Sequence, residues 1–242
     1  MLQLELIQDT KGDRLIMSKT KVTVVAIFAT FILSMVGAAS ASALPMSWFV
    51  NGTALTSGSV ALSNTAAVDT AMVLNDPKLN LQITCSALSG SKAEIQGSAA
   101  GESAMGQAKA LNFENCSEIS PPKCKLLNTT ISTEPILVLI LLVPDHPLPL
   151  IGLLFQPEEG NAFATLNFVK VEKGCAIEGE QPVDGKVLLH APLGADEETL
   201  QPILVLDSEE NDSLEIDGDP AYLEKGNVLL KLASSQTWSF HE

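Results

Sequence analysis

The chain has 242 residues with 14 basic and 29 acidic side chains, a formal charge of −15, and only 5% aromatic residues. No arginine follows Arg14, so the planar fork that grips phosphates and base edges is missing from nearly the whole chain. No basic stripe exists to dock a duplex or an anionic membrane surface, and both partners are excluded as expectations.

The first segment reads as an address. Met17-Ser18-Lys19-Thr20-Lys21 is a basic n-region, and Val22 to Val36 is apolar apart from Thr23, Thr30 and Ser34. Ala41-Ser42-Ala43 offers a small-residue cleavage site, with Ala39-Ser40-Ala41 as the alternative. Residues 1–43 are expected to be a signal peptide, with translation starting at Met17, because Glu5, Asp9 and Asp13 fit poorly ahead of an n-region. An uncleaved transmembrane anchor competes with this reading, but the small-residue run and the polar turn at Asn51-Gly52 favour cleavage. No cysteine follows the site, which argues against a lipoprotein. Removing residues 1–43 leaves ten lysines and 26 carboxylates, a formal charge of −16. Residues 44–242 then form an exported β domain, long enough for one core or for two packed β subdomains.

Chain order gives short strands separated by turns. Trp48-Phe49-Val50 ahead of Asn51-Gly52 is a hairpin signal, since Asn-Gly tolerates the positive φ of a type I′ turn. Ser57-Gly58 and Asn75-Asp76-Pro77 are further turn signals. From Lys78 to Ser86, Leu79, Leu81, Ile83 and Cys85 alternate with polar residues, which predicts a strand with one buried face. Residues 87–110 are rich in Gly, Ala and Ser and predict loop, with a weak strand at 93–98. Leu111 and Phe113 lead a further strand into Cys116, and Leu126 to Ile131 predicts another.

Ile136 to Val143 is a run of eight apolar residues, too short for the roughly twenty that a membrane helix needs. The next apolar piece, Leu148 to Phe155, comes after Pro144-Asp145-His146-Pro147, so the expectation is a hairpin turning there with both arms buried. A strand with a bulge between Phe168 and Val169 is predicted over 164–171. Further strands are predicted at 187–189, 203–206, 214–216, 228–232 and 238–240, with one helical turn near Asp196. The fold class is all-β: an antiparallel sandwich or barrel-like arrangement stapled by two disulfides.

Four cysteines in an exported chain imply two bridges with three pairings. The expected pairing is Cys116–Cys124 with Cys85–Cys175. By loop entropy the nine-residue loop contributes about 2.6 kcal/mol and the long one about 4.6 kcal/mol. No C-x-x-C spacing or neighbouring histidine supports zinc.

Chemistry is scarce, and no catalytic, cofactor or metal residue is assigned. His146 beside Asp145 is expected to be a solvated turn residue, His190 a surface residue at a strand end, and His241 a frayed one. There is no nucleophile elbow, no H-E-x-x-H and no phosphate loop. The chain is therefore not expected to be an enzyme. From Asp196 to Glu224 eleven carboxylates occur with no base. Asp207–Asp212 lacks the Gly and Glu of an EF-hand, which leaves adventitious calcium at Asp207–Asp212 or Asp217–Asp219, or a solvated hairpin turn. Sequons at Asn51, Asn115, Asn128 and Asn211 matter only in a glycosylating host.

The leader, Trp48-x-Val50-Asn51-Gly52, Ile83-Thr84-Cys85, the Cys116 and Cys124 pair, Gly174-Cys175 and Trp238 resemble a family of secreted, uncharacterised bacterial proteins, chiefly actinobacterial. The resemblance implies export and a disulfide-bonded β fold, with no activity attached. The expected function is a non-enzymatic binding or cell-envelope structural role. The alternatives are a secreted carboxylate-dependent hydrolase, marked by a pocket with paired carboxylates, and a membrane-associated envelope protein held by the 136–155 hairpin, marked by an exposed leucine and isoleucine patch.

Overall fold

A β-branched and small-residue chain with turn signals every few residues should build ladders, and it does. The structure is a computed structural model that describes residues 46–99, 102–121, 123–143, 150–190, 203–206 and 213–241. Nineteen strands occur among them: β1 (Ser47–Val50), β2 (Thr53–Ala54), β3 (Ser59–Ala61), β4 (Thr65–Asp76), β5 (Leu81–Ser91), β6 (Glu94–Gln96), β7 (Met105–Ala108), β8 (Ala110–Ile119), β9 (Cys124–Leu126), β10 (Ile131–Ser132), β11 (Ile136–Val143), β12 (Leu150–Pro157), β13 (Ala162–Lys170), β14 (Gly179–Asp184), β15 (Val187–His190), β16 (Ile203–Leu206), β17 (Leu214–Ile216), β18 (Asp219–Leu229) and β19 (Trp238–His241). Every pairing among these strands is antiparallel. No helix among the described residues is long and apolar enough to cross a membrane.

Four long strand runs build the central ladder: β3 with β4, β5 with β6, β7 with β8, and β18. β4 lies between β5 and β18, and β5 between β4 and β8. At one end the ladder passes from β18 through β17, β14 and β13, then returns through the bridge Thr133↔Ala164 and β10 to β8. At the other end it passes from β18 through β16, β15, β12, β11, β7 and β6 to β3. The bridge Leu62↔Leu232 closes this second circuit. Two barrels therefore share the long strands, and register breaks in β4 (Ala66/Met72) and β18 (Leu223 to Val228) mark where those strands bend between them. Residues 44–242 form one compact unit.

The Asn51-Gly52 hairpin is present, with φ of 49° and 72° and Val50 opposite Thr53. β1 also pairs with β19, which brings Trp48 opposite Phe240. This three-stranded sheet docks on the second barrel through Ala104 N–H to Met46 O (2.8 Å) and Trp48 Nε1–H to Met105 O (2.7 Å).

The cysteine pairing differs from expectation. Cys85 joins Cys116 and Cys124 joins Cys175. β5 and β8 pair with Cys85 directly opposite Cys116, so the two inward sulfurs meet. The Cys116–Cys124 bridge fails because Cys124 opens β9, which pairs with β13 and carries its cysteine toward the 171–178 loop. Two disulfides suit an oxidising, extracytoplasmic compartment.

Other differences have physical causes. The strand expected at 78–86 begins at Leu81, because Asp76-Pro77 starts a turn in which Asp76 Oδ1 accepts the Leu79 N–H and Asn80 takes a φ of 52°. It continues to Ser91, the strand expected at 228–232 runs instead from Asp219 to Leu229, and β3, β4, β7 and β14 are strands where none was expected. Their small or turn-forming residues carry no alternation, so neighbouring ladders rather than local pattern order them. The 126–131 strand is two pieces, β9 and β10, which serve different partners. The irregularity in β13 lies between Ala162 and Ala164, not at Phe168 and Val169. Beyond Phe168 the strand keeps only β9 beside it, so Val169 is simply exposed. β11 and β12 form the expected hairpin, whose turn falls outside the described residues, as does the Asp196 turn.

Candidate functional site

Concavity, rather than reactive side chains, singles out the site. Inside the second barrel lies an apolar cavity of about 90 Å³. Alternation within strands puts its wall together. Val138, Leu153, Phe155, Val187 and Leu189 share the inner face of β11, β12 and β15 by register. Gly106 and Ala108 of β7 oppose Val138 and Ile136 and keep that wall thin. Gly226 of β18 packs against Met72 so closely that an added Cβ would stand 2.8 Å from Met72 Cγ.

Trp48 and Trp238 line the cavity at the docked sheet. Their ring centroids are 5.7 Å apart, and Phe240 meets Trp48 edge-on at 5.6 Å. Each indole is anchored: Trp48 Nε1–H donates to Met105 O at 2.7 Å and Trp238 Nε1–H to Leu230 O at 3.4 Å. Among the described residues, the polar side chains at this cavity, apart from the indoles, are Ser63, Ser89, Glu94 and Gln107. Glu94 accepts hydrogen bonds from Ser59, Gln96 and Gln107, which hold its carboxyl below the ordinary value of 4.5.

A smaller cavity of about 50 Å³ sits in the first barrel, beside Cys85. A third space is polar: a cleft of about 470 Å³ lined by Gln156, Asn161, Asp184, Lys186, Ser213 and Glu215, among others. Asp184 and Glu215 are register partners on β14 and β17, so their carboxylates share a face. At its floor Gly185 has a φ of +115°, and an added Cβ would stand 2.0 Å from Ser213 O.

The 136–155 hairpin has two distinct faces. Its inner face is the cavity wall, whereas Leu137, Leu139, Leu141 and Leu154, joined by Leu188, occupy the other face and are half-buried.

The histidines are placed differently from expectation. His190 is buried, because β15 runs between β12 and β16 and sets it opposite Gly152, which has no side chain. His241 is held in β19 opposite Ser47 rather than frayed. His146 lies outside the described residues, as does Asp207–Asp212. Asp217 and Gly218 form the turn between β17 and β18, with φ of 51° and 78°, and Lys78 forms an ion pair with Asp219. Among the described residues no group of three or more His, Cys, Asp or Glu side chains could hold a metal ion. Sequence reasoning missed Met72, Trp48, Trp238 and Gly226 as site residues. The only signal was that the two tryptophans of the chain occur at opposite ends of the β domain. Compared with family models, curated proteins and solved structures, the chain matches none of them.

Proposed function

We propose that this chain is an exported, non-enzymatic binding protein that encloses a small apolar ligand in its second barrel. The cavity carries the reading. Interiors normally close-pack, and a largely apolar void between rigid ladders, floored by two anchored tryptophans, favours an apolar guest over water. The leader at 17–43 and the two disulfides support export, and together with the cysteine set they support placement among secreted or envelope proteins of bacteria.

The chain holds two tryptophans, both at the cavity, so intrinsic fluorescence reports on that space. Titration with 1-bromohexane, a heavy-atom quencher, should give saturable quenching. Ala108→Leu and Val138→Phe, which fill the void, should abolish saturation while leaving the far-ultraviolet circular dichroism intact. Absence of saturable quenching in the native protein would refute the proposal.

One observation favours a second reading, a secreted carboxylate-dependent hydrolase: Asp184 stands opposite Glu215 in a polar cleft. Glycan hydrolysis by the native chain that Asp184→Asn and Glu215→Gln each reduce a hundredfold or more would support it, and no hydrolysis by the native chain across a glycan panel would remove it.

A further inference from the structure

Resting on the apolar-ligand reading, we infer that the ligand is a single unbranched acyl or alkyl chain with an uncharged head, threaded along both barrels. The two cavities are neighbours. Met72, Phe113, Phe163, Val187 and Leu223 wall both of them. Their volumes, about 90 and about 50 Å³, together match a cavity that takes a benzene-sized guest. That space is divided between two barrels, so a compact ring would use only part of it, whereas a flexible chain can occupy both.

The partition between the cavities is soft at one point. Met72 is unbranched and adaptable, and its Cγ fills the space that a Cβ at Gly226 would take, so its conformation rests on a glycine and not on a bulky neighbour there. Swinging Met72 aside would join the spaces into one channel running from the tryptophans toward the Cys85–Cys116 bridge.

Chemistry along the channel sets its polarity. Every described residue lining the cavity of the first barrel is apolar, which suits a chain terminus. Ser63 and Gln107 at the other cavity can serve an ester, amide or alcohol head, whereas the Ser89 hydroxyl already donates to Glu114. Among the described residues no lysine, arginine or histidine lines either space, and the one charged lining residue is the carboxylate Glu94. A free carboxylate head would therefore meet no counter-ion there and one like charge.

The test is competition of straight-chain alkanols from butanol to dodecanol, and of the equal-length alkanoates at pH 7, against 1-bromohexane. Affinity should rise about fourfold per methylene up to a limiting length and then stop, with alkanoates at least tenfold weaker. Val183→Phe, which intrudes only on the smaller cavity, should shorten the limiting length by two carbons or more with butanol changed less than twofold, and Met72→Ala should lengthen it. If benzyl alcohol binds more tightly than heptanol, if both variants shift all alkanols equally, or if alkanoates bind as well as alkanols, the threaded-chain inference falls while quenching by 1-bromohexane still upholds an apolar site. If 1-bromohexane itself shows no saturable quenching, the parent reading falls first.

Discussion

Trp48 Nε1–H donates to the carbonyl oxygen of Met105 at 2.7 Å, across 57 residues of chain, and so ties the docked three-stranded sheet to β7 of the second barrel. The indole is buried, and no smaller aromatic ring both fills its space and satisfies that carbonyl. Trp48→Phe should cost about 1–3 kcal/mol through the orphaned acceptor, and Trp48→Ala about 3–5 kcal/mol through the added void. Urea unfolding monitored by the remaining Trp238 measures both, and a neutral Trp48→Phe would show that the bond contributes nothing.

Cys85 and Cys116 cross-link a strand pair that is already in register, whereas Cys124–Cys175 fastens β9 to a loop with little other pairing. Separations of 31 and 51 residues give loop-entropy contributions of about 3.7 and about 4.1 kcal/mol. Paired Cys→Ala changes should lower stability by comparable amounts in chemical denaturation. Non-reducing tryptic mapping should find Leu79–Lys92 joined to Ala110–Lys123, and Cys124–Lys125 joined to Gly174–Lys186. Recovery of Cys116 joined to Cys124 would contradict the topology of β8 and β9.

Gly185 combines a φ of +115° with a Cβ position 2.0 Å from the Ser213 carbonyl. Gly185→Ala should therefore cost about 2–3 kcal/mol from strain and backbone displacement. Gly160→Ala, with a φ of +69° but open space around it, should cost less. Equal melting temperatures for the two variants would show that the turn yields freely.

Hydrogen bonds from Ser59, Gln96 and Gln107 hold the folded Glu94 carboxyl below its ordinary value of 4.5. A lowered folded value means stability that is present above the unfolded pKa and is lost as pH falls through the folded one. The effect sits on a largely solvated group, so it should stay below about 1 kcal/mol. Urea midpoints at pH 7, 4.5 and 3 should fall less for Glu94→Gln than for the native chain. Parallel acid curves would assign the loss to other carboxylates.

Much of the β pattern was legible locally. Asn51-Gly52 formed its turn because two adjacent positive φ angles suit those residues, and the 136–155 segment formed a hairpin because its prolines exclude a helix. β4 was not legible, since Thr65 to Asp76 mixes alanine, threonine, aspartate and aliphatic residues without alternation. Nor was the site: Met72, Gly226 and Trp238 are ordinary strand residues until distant ladders set them around one space.

Local sequence sets the class of this protein: short apolar and β-branched runs broken by turn residues make antiparallel strands, and four cysteines behind an export-type leader make two bridges. Tertiary structure alone decided which cysteines meet, that the ladder closes twice around shared bent strands, and that an apolar space remains between them. Those outcomes depend on strand register across 31 to 194 residues of chain, and register is a property of paired edges that no single segment carries.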